Sequence, residues 1–209
     1  MRAILGRVCM LLAVTVCGCG EKAADDPPTA VARSLDRENS PSTDAPPVEF
    51  DDKGTPGEPR VRKFPGIELT IPAGWKEVEL SDFQRGIIAA KYELPPAGSE
   101  MTLTISFVGG GIGPNLQRWV GQIQSTPADA PKTETLKVQG VDAQWIDLRG
   151  TYNTSFGPKP GAKPNWRILG AAVPIQPQDC YLKLIGPRDV VAKAHDDFRR
   201  LVRTARLTK

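Results

Sequence analysis

Between Gly20 and Arg60 the chain carries Pro27, Pro28, Pro41, Pro46, Pro47, Pro56 and Pro59, separated mainly by Asp, Glu, Ser and Thr. Proline at that spacing interrupts both helical and ladder hydrogen bonding, and so polar a stretch cannot bury enough surface to order itself. Folding is therefore left to residues 61–209, enough chain for one ordinary domain with its own core. The preceding stretch reads as a disordered tether with a reach of roughly 35 to 40 Å. Charge divides at the same place. Residues 20–60 hold ten acidic and five basic side chains, whereas residues 61–209 hold twenty basic and fourteen acidic. A basic domain on an acidic tether could meet an acidic partner or anionic headgroups. Its lysines and arginines are scattered rather than interleaved with aromatics, so no nucleic-acid partner is expected.

The first residues address the chain. Arg2 and Arg7 precede the apolar run Val8 to Val16, too short to span a bilayer, and the small-residue stretch Cys17-Gly18-Cys19-Gly20 follows. Val16, Cys17, Gly18 and Cys19 resemble the lipobox of bacterial lipoproteins. The resemblance implies a signal peptide over 1–18, a lipidated Cys19 joined to the tether over 19–60, and a globular domain over 61–209. Ordinary secretory cleavage is the alternative. Lipid on Cys19 would make the membrane a partner and place the domain in the bacterial cell envelope, facing away from the cytoplasm; each buried methylene contributes about 0.8 kcal/mol to such anchoring. Cys9 and Cys17 would leave with the signal, so Cys180 would have no thiol to pair with. It shares a strand face with Leu182 and Leu184, and a buried, inert thiol is expected.

Within the domain, period-two alternation marks Ile67 to Ile71, less cleanly Trp75 to Leu80, then Gly86 to Leu94 and Met101 to Val108. Thr133 to Val138, Val141 to Tyr152, Trp166 to Val173 and Cys180 to Ile185 supply four more strands. Helical spacing appears twice, at Leu116 to Ile123 and from Pro187 through Val190, Val191, Ala194, Phe198, Leu201, Val202 and Ala205. Strands that follow one another without helices between them call for an antiparallel arrangement. The expected class is α+β, a mostly antiparallel sheet packed with two helices.

This element order, with Ile71-Pro72-Ala73-Gly74-Trp75 entering it and the corner Tyr181-Leu182-Lys183-Leu184-Ile185-Gly186-Pro187 before an amphipathic terminal helix, resembles the Mog1/PsbP-like fold, an α/β/α sandwich. Asn115-Leu116-Gln117-Arg118-Trp119 and Leu148-Arg149-Gly150-Thr151-Tyr152 are similar to the same group, and the chain most resembles its uncharacterised bacterial secreted and lipid-anchored members. The resemblance implies an interaction or accessory domain, because the better-known members are non-enzymatic. It defines no site residues.

The residues themselves offer modest candidates. His195, the only histidine, excludes a metal centre built on two imidazoles, and beside Asp196 and Asp197 on a helix it is not a ready-made ligand set. Gly109 to Gly113 joins a strand to a helix start, but lacks the Lys-Ser/Thr ending of a phosphate loop and reads as a tight turn. Asn153 to Pro164 reads as a long basic loop. Phe156, Lys159 and Lys163 in it are candidate contacts for a ligand or partner. Arg199, Arg200, Arg203 and Arg206 crowd the end of the last helix, where they complement its dipole; Arg199 and Arg203 are candidates for an acidic partner. No nucleophile, cofactor or metal motif is recognisable. The expected function is a non-catalytic, lipid-anchored envelope interaction module with a protein partner and no cofactor. The alternative is an envelope lipoprotein that binds a small ligand between the sheet and the Gly109 to Ile123 segment.

Overall fold

A computed structural model describes residues 58–94, 97–154 and 161–208 of the chain. Cys19, the tether up to residue 57, and Phe156 and Lys159 lie outside the described residues.

Strand β1 (Arg60–Phe64) forms a hairpin with β2 (Ile67–Ile71). Arg60, expected to close the tether, already belongs to the fold, its Nη2 donating to the Trp75 carbonyl at 2.6 Å. The next segment departs from the alternation read above. Strand β3 is only Lys76–Glu77, and helix α1 (Asp82–Arg85) precedes a shortened β4 (Ala90–Leu94). The cause is local. The Ser81 hydroxyl accepts the Gln84 N–H while the Gln84 side chain accepts the Ser81 N–H, a capping box, and the Ile87 and Ile88 amides both turn back to the Gln84 carbonyl. Amides used in that turn are not available to a ladder.

Strand β5 (Gly98–Val108) leads through the glycine run into helix α2 (Ile112–Val120), which starts and ends earlier than its apolar spacing implied, so that Ile123 falls in the short strand β6 (Ile123–Gln124). A 3-10 turn at Pro127–Asp129 and three long strands follow: β7 (Lys132–Val138), β8 (Val141–Thr154) and β9 (Gly161–Val173). The β8–β9 hairpin runs to Thr154 and restarts at Gly161, so much of the expected 153–164 loop is ladder. Strand β10 (Asp179–Pro187) precedes α3 (Arg188–Lys193), α4 (His195–Arg203) and β11 (Arg206–Leu207). The single terminal helix that was expected is thus two, divided at Ala194 (φ −90°, ψ 0°), with Val191, Ala194, Phe198, Leu201 and Val202 still on the buried side. Arg206, expected on that helix, pairs in β11 with Glu68.

All pairings are antiparallel. One sheet has the order β1-β2-β11; the other runs β3-β4-β5-β10-β9-β8-β6, with β7 also on β8. Strand β8 is long enough to carry two short partners on its outer edge, β7 along Val141 to Asp147 and β6 at Thr151 and Tyr152. The α+β, mostly antiparallel class expected from the sequence is the class observed.

Two adjacent register rows define the faces of the larger sheet. Ala90, Ile105, Leu182, Ala171 and Trp145 point to one side and join a single apolar cluster with β1, β2, α3 and α4. Cys180 lies fully buried in that cluster and burial pushes its thiol far above the ordinary range, as an inert core thiol requires. Lys91, Thr104, Lys183, Gly170 and Ile146 point to the other side. There α2 covers only part of the sheet, packing Leu116, Trp119 and Val120 over Ile146, Leu148, Ile168 and Ile185.

Candidate functional site

Around the β7–β8 edge the structure gathers charge on an aromatic floor. Asp147 and Arg167 share a register side at the end of the first face, and Arg167 grips the Asp147 carboxylate with two hydrogen bonds of 2.8 and 2.9 Å. Arg149, two residues along β8, adds bonds of 3.3 and 2.7 Å. Asp147 and Arg167 are both buried. Burial by itself would raise the Asp147 pKa, but the hydrogen bonds from Arg167 and then Arg149 outweigh it and hold the carboxyl below its ordinary value. Nearby, Trp145 meets the His195 ring edge-on at 5.8 Å and lies under the Arg199 guanidinium at 5.5 Å. Asp147, Trp145 and His195, with Lys132, Thr133 and Glu134, border a cleft of about 200 Å³. A second hollow, between Trp75 and the junction of α3 with α4, holds about 80 Å³. Drug-sized ligands need roughly 300 to 1,000 Å³.

The sequence candidates separate. Arg199 makes a two-pronged ion pair with Glu134 on β7, the second bond at 3.0 Å, which raises the Arg199 pKa and lowers that of Glu134. It fastens α4 to the sheet. Arg203, four residues on, is exposed. Lys163 lies in β9 rather than in a loop, with its Nζ 4.5 Å from the ring centre of Trp166, itself stacked on Tyr152 at 5.5 Å. His195 bonds Asp196 at 2.8 Å. The glycine run is tied by its own helix, since the Asn115 amide donates to the Gly109 and Gly111 carbonyls, at 3.1 and 2.9 Å, and to the Tyr181 hydroxyl at 2.9 Å. Replacing Arg199 by alanine is expected to cost about 1 kcal/mol, because the pair is partly exposed. A denaturant midpoint measured against a Glu134→Ala, Arg199→Ala double-mutant cycle checks this.

One surface was not anticipated. On α1 and the turn after it, Phe83 is 77% exposed and Ile87 52% exposed. The turn that carries them is stiffened by its capping box and by Arg85, which reaches Asp82 and Glu79 at 3.3 Å each. Ser81-x-x-Gln84 was the legible sign of a helix start there. The apolar residues around it read instead as part of a strand.

No protein-family model matches the chain, and no curated protein matches it. Among solved structures, cyanobacterial PsbP (CyanoP) from Synechocystis sp. PCC 6803 is similar at 11% identity and TM-score 0.48, over 77% of this chain and 98% of that one. That structure has the PsbP-like fold that the element order resembles, and the likeness carries nothing further. A protein of unknown function from Pseudomonas aeruginosa, PA94, is similar at 11% identity and TM-score 0.39, over 73% of this chain and 99% of that one.

Proposed function

We propose that the chain is a non-catalytic interaction module, held in a bacterial cell envelope by lipid on Cys19 and carried clear of the membrane by its acidic tether. The observation that carries this reading is the solvent-facing placement of Phe83 and Ile87 on and just after a capped turn. Large apolar side chains on a short, internally capped turn lose apolar contact with water when a partner covers them, and little ordering entropy opposes it. The two hollows described above fall short of the volume that a drug-sized ligand needs, which favours a protein partner over the small-ligand alternative. Among the described residues no helix is long and apolar enough to cross a membrane, so attachment falls to the lipid in this reading.

A photo-crosslinking residue placed at position 83 in intact cells is expected to give one reproducible protein adduct, while the same residue at exposed Lys137 gives none. Ile87→Asp should remove that adduct without lowering the thermal midpoint. Cys19→Ala should abolish fatty-acid labelling and release the chain from the membrane fraction. An adduct unaffected by Ile87→Asp, or labelling that survives Cys19→Ala, would overturn the corresponding half of the reading.

A further inference from the structure

Lys183 sits on the second face of the larger sheet, at mid-strand in β10. Its register neighbours are Thr104 on β5 and Gly170 on β9, with Lys91 on β4 beyond Thr104. Trp119 lies across Gly170 and meets Tyr181 edge-on at 6.0 Å, walling the row on the α2 side. The Lys183 ammonium donates to Gln122 Oε1 at 3.1 Å. That acceptor is a neutral amide, and an ammonium has three donors and a full charge to satisfy.

The contrast with the domain's other sheltered cations is direct. Arg62 has Glu77, Arg167 has Asp147 and Arg188 has Asp129, whereas among the described residues no carboxylate stands within salt-bridge distance of Lys183. Burial accordingly pushes the Lys183 pKa down to about 8. The surroundings disfavour the charge that the side chain carries at neutral pH, and an anion arriving from outside would relieve that. On the side away from α2 the face is open, with Lys91, Thr102, Thr104 and Ser106 all partly exposed. Glu93 on β4 and Asp179 on β10 lie farther along the same face, and Arg118 projects from α2.

We propose that Lys183, Lys91 and Thr104 form a site for a single oxyanion group, a phosphate or a carboxylate, in which the ammonium of Lys183 gains the counter-charge that the fold withholds. The site is independent of the Phe83 and Ile87 surface.

The test is a titration of the purified chain with inorganic phosphate and, separately, with acetate, chloride balancing the ionic strength. Two readouts are followed: the thermal midpoint, and the rate at which an amine-acylating reagent modifies Lys183, mapped by mass spectrometry. At least one oxyanion should raise the midpoint saturably and slow acylation of Lys183, and which one does so separates a phosphate site from a carboxylate site. Lys183→Met should be no less stable than the parent and should weaken the oxyanion response about tenfold or more, consistent with loss of a charge-assisted contact. Lys137→Met, at an exposed lysine paired with Asp142, should leave the response unchanged. The acylation readout needs no variant, so it stands even if Lys183→Met folds poorly. The proposal is overturned if neither oxyanion protects Lys183 more than chloride does, or if Lys183→Met binds as the parent does.

Discussion

Replacing Asp147 by alanine is expected to cost about 3 to 5 kcal/mol of stability, the range typical of removing one partner from a buried ion pair. Arg167 would keep its buried guanidinium without a counter-ion, and Arg149 would lose both of its bonds to the same carboxylate. Asp147→Asn keeps the shape and should still lose much of that stability. The effect depends on pH with a definite sign. The Asp147 pKa is held below its unfolded value, so its contribution is fully present above about pH 3.9, the ordinary value for aspartate, and disappears as the pH falls through the folded value. The gap between the parent and Asp147→Ala in urea unfolding should therefore be wide at neutral pH and close under strong acid. A gap that stayed constant down to that range would mean that packing, not charge, holds the cluster together.

Gly170→Ala should be a damaging small-to-large change on the second face. A Cβ there would lie 2.2 Å from Trp119 Cζ3 and 2.9 Å from Ile146 Cγ2, so the indole must lift and α2 with it. Overpacking of this kind typically costs about 1 to 3 kcal/mol. Trp119→Leu alone should also destabilise, by leaving space above the sheet, but the double variant should be more stable than the two single losses added together predict. Strictly additive losses in chemical denaturation would show that the glycine is not there to seat the tryptophan. Gly150 is constrained more tightly by backbone, with φ +146° and a Cβ position 2.2 Å from the Gln124 carbonyl, where β6 closes on the irregularity in β8.

What the sequence revealed follows from how each signal arises. The alternation of Met101, Leu103, Ile105 and Phe107 is read directly because β5 has one covered and one open face, and period two is the record of that difference. The apolar residues from Gly86 to Leu94 misled because Ile87 and Ile88 are held in a turn by the Gln84 carbonyl, a constraint set by the preceding capping box and not by hydrophobic pattern. Leu116, Trp119 and Val120 marked α2 correctly, whereas Ile123 belongs to β6 and only coincidentally continues the spacing. The loop candidates met a different limit. Gly161, Lys163 and Pro164 look like turn material, yet the hairpin twists on through them because β8 supplies ladder partners as far as Thr154. Asp147, Arg149 and Arg167 could not be read as a cluster, because twenty residues and a hairpin separate the carboxylate from its main partner. Lys183 reads in the sequence only as the polar step of an alternating strand, and the neutral amide that its ammonium meets comes from Gln122, far away in the chain.

The division of the outer edge of β8 between two short strands bears on how densely such molecules can be crowded. A long, flat strand left at the margin of a sheet is a template on which another copy can continue the hydrogen-bond ladder. Here one margin is the two-residue β3, and the other is shared by the two-residue β6 and by β7, along which Lys132, Glu134 and Lys137 are all exposed. Neither margin offers an incoming chain a long uncharged run to pair with. Copies held at high local concentration could therefore stand side by side without polymerising through the larger sheet.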